Sequence, residues 1–230
     1  MEITKPLRSI ILTLVIIWTI FFCYRGWNEL LSVMGVTERD IWESISTLDH
    51  SSKAWFIIHP LLAILGTVAL PVPAVILRRY KGYWSKKIHA YFFIVATSSV
   101  CLSMYVIYVH KNAKGKQHFQ TSHSLYGATL LAAYLLFSLV GSVALDPDWS
   151  LISNETVIDY MKWGHKFAGR IFIAVGFWVC LSGWKYKFEK DEKNMWNATV
   201  VVSLATFLVF MDKAIELGWG KKKDKEKKAH

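Results

Sequence analysis

Long stretches without charged residues alternate with short charged segments along the chain. Residues 54–77, 88–110 and 117–145 contain 24, 23 and 29 consecutive positions without Asp, Glu, Lys or Arg. A membrane-spanning helix needs about 20 consecutive apolar residues. Each stretch therefore predicts one span, and Pro71 and Pro73 predict a kink in the first of the three.

Three further stretches are shorter or interrupted. Residues 9–24 and 194–211 are uncharged over 16 and 18 positions, and residues 165–184 are long enough but contain Arg170. We therefore predict six transmembrane helices joined by short connections. Residues 1–230 would form a single all-α membrane domain, with no room for a soluble one.

The first predicted span has an alternative interpretation. A basic start with Lys5 and Arg8, followed by an apolar stretch, also describes a signal peptide. No A-x-A-like cleavage site follows, because the chain continues as CYRGWNEL. We expect an uncleaved span.

Composition and charge agree with a membrane protein. The chain is 53% apolar, only 19% charged, and has a mean hydropathy of +0.30. Lys and Arg are more numerous on the side that would hold both termini, which predicts cytosolic termini. The net charge of +10 then belongs to a rim facing anionic membrane lipid, and no nucleic-acid partner is needed to explain it. The basic tail, 213–230, is either a lipid contact or a solvated disordered segment.

The three cysteines exclude several kinds of site. Cys23, Cys101 and Cys180 are far apart in sequence, so they form neither a zinc pattern nor an obvious disulfide framework. No C-x-x-C-H motif is present, which excludes covalently attached haem. We interpret the cysteines as packing residues.

Four histidines open four of the predicted spans. Because successive spans alternate in direction, His59 and His123 lie near the non-cytosolic face, and His89 and His165 lie near the cytosolic face. Each pair comes from alternate helices, which can face each other across a central four-helix bundle of helices 2–5. A single histidine at such a place could instead form a hydrogen bond with a backbone carbonyl or a lipid headgroup. Because an ionisable group inside a membrane is energetically unfavourable, each of the four is nevertheless a functional candidate.

Two facing imidazoles favour haem over a bare metal ion. A metal ion alone usually takes three or four protein ligands, and no Asp or Glu lies inside the second to fifth apolar runs. Haem iron needs only two axial ligands. We therefore predict two b-type haems, ligated by His59 with His123 and by His89 with His165.

Small residues follow three of the four histidines at the helical neighbour position. Ala63, Gly127 and Gly169 each lie four residues after a histidine and would leave room for a flat macrocycle. Phe93 occupies this position after His89 and could stack on the ring instead.

Haems with both axial positions filled indicate electron transfer. Two such groups would divide a hydrocarbon core of about 30 Å into shorter steps. Two alternatives stay open at this point. One is a haem-free membrane scaffold or transporter, and the other is a quinol-reacting cytochrome b subunit.

Four motifs resemble the eukaryotic cytochrome b561 superfamily. They read HPLLAILGTVALPVPAVILRRY, KKIH, SHSLYG and WGHKFAGRIFIAVGFWVCLSG, and together they cover roughly His59 to Gly183. The haem core would be residues 54–184. The ALPVPAVILRRYKGYW stretch is especially similar to the branch whose members often carry a DOMON domain, which we expect to be absent here.

The resemblance implies the cofactors and the reaction. It implies two b haems, held by the second with the fourth span and by the third with the fifth. It implies an oxidoreductase that moves electrons from a cytosolic, ascorbate-like reductant to monodehydroascorbate or a ferric chelate across the membrane. A homodimer is also implied.

Candidate substrate residues follow from the same resemblance. Lys87 matches the basic residue that the family has beside the third-span histidine, and Lys86 and Arg79 extend this patch. Lys162 is the only basic candidate in the loop before the fifth span. His110 falls about where the family has a loop histidine on the opposite face. Ordinary positive-inside charge is the alternative for each lysine and arginine except Lys87.

Two further features concern a contact with haem and the location of the protein in the cell. Arg170, five residues after His165, could reach a haem propionate or the cytosolic interface. The C-terminal KKAH resembles a dilysine retrieval signal of the endoplasmic reticulum, although a Lys-rich tail can match it by chance.

Overall fold

We describe the protein from a computed structural model. It describes residues 34–78, 83–145 and 152–188, together with a few positions between 13 and 32. The predicted sixth span, 194–211, and the tail, 213–230, lie outside the described residues, as does the first span, 9–24, apart from isolated positions. The described residues form helices and short connections, with no strand among them.

Six α-helices are present in the described residues between Glu38 and Phe188. Helix α2 continues through a π-helical segment, Leu65–Ala69, into α3, so these three pieces form one rod. The bounds are α1 Glu38–Ser46, α2 Lys53–Ile64, α3 Pro71–Leu77, α4 Tyr83–Ala113, α5 Ser122–Leu145 and α6 Glu155–Phe188.

Four helical stretches are long and apolar enough to cross a membrane. They are Lys53–Val75, Tyr83–Ala113, Ser122–Ser142 and Glu155–Lys185. These correspond to the predicted second to fifth spans, and the protein is therefore an integral membrane protein. Four of the six predicted spans are therefore confirmed within the described residues.

The prolines of the first rod break its hydrogen-bond ladder where a kink was predicted. Pro71 and Pro73 have no backbone N–H to donate to the preceding turn. The preceding turn widens accordingly: the amide of Leu70 donates to the carbonyl of Leu65, five residues back, at 3.1 Å. A regular helix resumes at Pro71, so the rod changes its winding within the span.

The spans pack in chain order and the last returns to the first. Helix α2 packs on α4, α4 on α5, α5 on α6, and α6 on the π-helical segment. Val68 and Val72 of the first rod join Ile173 and Phe177 of α6 in one buried cluster. These contacts bring alternate spans to opposite sides of a common interior.

Gly66 allows the closest approach between two spans. A Cβ atom at this position would lie 2.5 Å from the carbonyl oxygen of Ala96 and 2.6 Å from a methyl carbon of Val100. No side chain fits there without moving α4. By contrast, a Cβ at Gly164 in α6 would meet nothing within 4 Å.

We predict that Gly66→Ala destabilises the protein by about 1–3 kcal/mol, because overpacking forces the first rod away from α4. Gly164→Ala is the matched control and should be neutral or stabilising by about 0.5–1 kcal/mol, since alanine favours a helix. Thermal unfolding in detergent measures both. Equal midpoints for the two variants would contradict the close approach.

Candidate functional site

The described helices bring four histidine side chains together as two pairs. His59 of α2 and His123 of α5 form the first pair, with ring centroids 6.4 Å apart and ring planes at 75°. His89 of α4 and His165 of α6 form the second pair, at 6.3 Å and 72°. Each pair joins alternate spans, and the two pairs have nearly the same geometry.

The separation within each pair matches two ligands of one metal atom. A metal–imidazole nitrogen bond is about 2.0 Å long, and a ring nitrogen lies about 1.1 Å from the ring centre. Two imidazoles on opposite sides of one metal atom therefore have centres about 6.2 Å apart. The observed separations of 6.4 and 6.3 Å leave room for one such atom in each pair.

The two pairs lie near opposite ends of the spans. His89 and Ser103, which contacts His59, are fourteen residues apart on α4. His165 and Val179, which contacts His123, are also fourteen residues apart on α6. Fourteen residues of α-helix rise about 21 Å. Both helices therefore give the same axial distance between the pairs, which fits inside a bilayer with a hydrocarbon core of about 30 Å.

His59 is held by the backbone and side chain of one residue on α4. Its Nδ1 donates to the carbonyl oxygen of Ser103 at 2.9 Å and lies 2.8 Å from the Ser103 hydroxyl. That hydroxyl donates its own proton to the carbonyl oxygen of His59 at 2.8 Å. It therefore accepts from Nδ1, and Ser103 fixes both the ring and the backbone of His59.

His123 is held in the same way from α6. Its Nδ1 lies 3.1 Å from the carbonyl oxygen of Val179 and 3.1 Å from the hydroxyl of Ser182. Gly183 makes room for the ring, because a Cβ there would lie 2.6 Å from Cε1 of His123. The His123 imidazole therefore lies directly against the backbone of the neighbouring span.

The second pair is held by fewer hydrogen bonds. Nδ1 of His89 donates to the carbonyl oxygen of Ala74 at 3.2 Å, and its ring contacts Phe93 at 4.8 Å. His165 has a buried Nδ1 with no hydrogen-bond partner among the described residues. Instead, its ring stacks on Phe137 with centroids 4.3 Å apart and planes at 2°.

The hydrogen bonds decide which ring nitrogens can bind a metal. A carbonyl oxygen only accepts, so Nδ1 of His59, His89 and His123 must carry the proton. Their Nε2 atoms are then unprotonated and have a lone pair to offer. No hydrogen bond reaches Nε2 of any of the four histidines within residues 34–78, 83–145 and 152–188.

These features fit haem b better than a bare metal ion. Neutral imidazoles anchored through Nδ1 are the usual metal-ligating arrangement. The described residues contain no cluster of three or more His, Cys, Asp or Glu side chains that could hold a metal ion without further ligands. Two axial nitrogens are sufficient for haem iron, to which the porphyrin supplies the remaining ligands.

A narrow apolar cleft lies beside the second pair. Phe93 and Phe137, which contact the two rings of that pair, line it together with Gly169 and Phe172. Tyr134 also lines the cleft, and its buried hydroxyl has no partner among the described residues.

The small residues four positions after the histidines have different surroundings. A Cβ at Gly127 would meet nothing within 4 Å, whereas one at Gly169 would lie 3.5 Å from Phe137. The contacts that position the rings were not identified from the sequence: they come from Ser103, Ser182 and Gly183 on neighbouring spans. The fourteen-residue spacing from His89 is a signal that could have indicated Ser103, whereas Ser182 and Gly183 do not have this spacing from His165.

The cationic residues near the second pair have distinct environments. Lys87 is half-buried, with Nζ 5.6 Å from the ring centroid of Tyr83, and Lys86 is exposed. Lys162 is exposed and pairs with Asp159 at 3.0 Å. Arg79 lies outside the described residues. Substrate binding by these residues stays a prediction.

Arg170 is half-buried on α6, next to Gly169 of the cleft. It makes no ion pair within the described part of the chain. A contact with a haem propionate stays a prediction.

His110 lies in the last turn of α4, so its sequence-based placement in a loop is wrong. It is 6% exposed, and its Nδ1 donates to the carbonyl oxygen of His50 at 2.8 Å. Phe56 lies between it and His59, with ring centroids 5.5 and 6.4 Å from theirs. This geometry favours anchoring of the connection before α2 over direct contact with a soluble acceptor.

Comparison with known proteins identifies one family. A family model described as eukaryotic cytochrome b561 matches residues 58–189, which is more than half of the chain and includes both histidine pairs. No curated protein matches the chain.

We predict that Gly183→Ala displaces the His123 ring, because a methyl group would occupy the space of Cε1. The haem content per chain should fall by about half, measured by a pyridine haemochrome assay. Gly164→Ala, which meets no neighbouring atom, is the control and should keep the full content. Full content in Gly183→Ala would show that the ring does not need this position.

Proposed function

The chain belongs to the eukaryotic cytochrome b561 family of transmembrane haem b oxidoreductases, and we propose that its two histidine pairs hold two haems that carry electrons across the membrane. The observation that carries this proposal is the matched geometry of the pairs. Both have centroids near 6.3 Å, both join alternate spans, and they lie about 21 Å apart along the helices.

The histidines would supply both axial ligands at each site. When bound, haem iron supplies one-electron chemistry by alternating between the ferric and ferrous states. With an imidazole bound on each side, the iron would have no open position for oxygen or a substrate. The hydrogen bonds from Nδ1 of His59, His89 and His123 keep the proton on Nδ1, leave Nε2 free for the iron and hold each ring in its orientation.

The packing of the spans supports a four-helix bundle as the haem-binding unit. Contacts follow the chain order and return to the first rod, so alternate spans face each other across the interior. With both termini in the cytosol, as the distribution of Lys and Arg favours, the second pair would lie at the cytosolic end and the first pair at the opposite end.

We propose that the donor is a small anionic reductant of the ascorbate type. Lys86 and Lys87 lie within one turn of His89, and Lys162 lies within one turn of His165. Positive charge at the mouth of a site attracts anions and raises their rate of association. On the opposite face the acceptor would be monodehydroascorbate or a ferric chelate, near the basic connection that follows α4.

We predict that substitutions within one histidine pair remove one haem, and that substitutions in both pairs remove two. His59→Ala and His123→Ala should each reduce the haem content from two to one, and the double variant should still hold one, because both changes empty the same site. His59→Ala/His89→Ala should hold none. Reduced-minus-oxidised spectra with haem quantification measure this.

His118→Ala is the control, because this histidine lies in the connection after α4 and bonds Asn112 in the last turn of that helix. It should keep both haems. If His59→Ala/His123→Ala lost both haems while each single variant lost one, ligation by these pairs would be wrong. A spectrum without any b-type band in the unaltered protein would instead favour a haem-free scaffold.

We predict that Lys86→Gln/Lys87→Gln slows reduction by ascorbate about threefold to tenfold at low ionic strength, since the anion loses its attraction to the site. The difference should shrink as salt screens the charges. Stopped-flow absorbance of the haem band measures the rate.

Lys185→Gln, which removes an exposed charge near the end of α6 and away from the second pair, is the control for this variant and should react like the unaltered protein. An uncharged quinol should not distinguish the variants. Faster reduction by quinol than by ascorbate in the unaltered protein would overturn the proposed donor.

A further inference from the structure

The four histidines differ in one respect that the proposed function does not use. Three have an Nδ1 that donates to a carbonyl oxygen of a neighbouring span. His165 alone has a buried Nδ1 without an acceptor within residues 34–78, 83–145 and 152–188. A buried N–H without a partner is unfavourable and therefore uncommon in proteins.

Packing rather than hydrogen bonding orients His165. Phe137 stacks on its face, and Gly141, one turn further along α5, lies at its edge. A Cβ at Gly141 would be 3.1 Å from Cε1 and 3.7 Å from Nδ1. The glycine therefore leaves space beside Nδ1 at the place where a hydroxyl could have accepted its proton.

The first pair shows what such a hydroxyl does. At His59 the Ser103 hydroxyl accepts from Nδ1, and at His123 the Ser182 hydroxyl lies 3.1 Å from Nδ1. Each of these histidines thus has a carbonyl and a hydroxyl acceptor. In the second pair, His89 has one carbonyl at 3.2 Å and His165 has none.

We propose that His165 is the weak axial ligand of the chain, and that its missing acceptor raises the reduction potential of the haem it shares with His89. This inference rests on the proposed ligation of haem by the second pair. An acceptor at Nδ1 makes an imidazole a stronger electron donor, which stabilises ferric iron and anchors the ring. Without the acceptor, ferrous iron is relatively favoured and the ring dissociates more readily.

The test restores the missing acceptor. In Gly141→Ser the new hydroxyl can reach hydrogen-bond distance from Nδ1, since its Cβ would lie 3.7 Å away. It can meanwhile donate to the carbonyl one turn back, as serines in helices do. Gly141→Ala is the matched control, because it introduces the same Cβ contact without the hydroxyl.

Potentiometric titration of the full-length protein should show that one of the two haems becomes harder to reduce in Gly141→Ser. We expect about a tenfold change in its reduction equilibrium relative to Gly141→Ala, which is 59 mV for a one-electron couple. Equal potentials in the two variants, with both haems bound, would overturn the inference and leave the proposed function intact. Two haems retained in His165→Ala would instead overturn the proposed ligation itself.

If the Gly141 variants bind haem poorly, a second measurement tests whether His165 is the weaker ligand. His59→Ala/His123→Ala keeps only the haem of the second pair, and His89→Ala/His165→Ala keeps only the other. Carbon monoxide added to the reduced proteins should displace a histidine about tenfold faster in the first of these variants, because His165 lacks its anchor. Equal rates, or the reverse order, would refute a weak His165.

Discussion

The hydrogen bond from a histidine Nδ1 to a carbonyl oxygen of the neighbouring span is the interaction on which the site depends. It joins α2 to α4 at His59, α5 to α6 at His123, and α4 to the first rod at His89. Each bond fixes a tautomer and at the same time sets the distance between two helices. Helix packing and ring orientation are therefore coupled, because a shift of one span against the next would move an acceptor away from its ring.

The membrane explains why these bonds are made by backbone groups. In the hydrocarbon core no water satisfies a polar side chain, so each imidazole N–H must find an acceptor inside the protein. The carbonyl groups of Ser103 and Val179 accept these protons, although both already belong to helices, because a carbonyl oxygen has two lone pairs. Ser103 and Ser182 add hydroxyls that donate locally and accept from the ring, so no further charged group is required.

The sequence predicted the features that depend on periodic or strongly polar signals. Uncharged runs located the four described spans, Pro71 and Pro73 located the break in the first rod, and four motifs indicated the family. It did not identify Gly141 and Gly183, because a glycine that makes room for a ring on another helix has the same local pattern as any glycine in a membrane span. The resemblance to the family also placed His110 in a loop, whereas the helix continues past it to Ala113.

The fourteen-residue spacing on α4 and α6 has a consequence for how this sequence can change over evolution. Fourteen residues are close to four whole turns, so His89 and Ser103, and likewise His165 and Val179, share one helical face. Substitutions between these positions leave that alignment intact. A single inserted or deleted codon would rotate one end by about 100° against the other and separate a ring from its acceptor. Descendants of this gene should accumulate many exchanges in these two intervals while keeping their length constant.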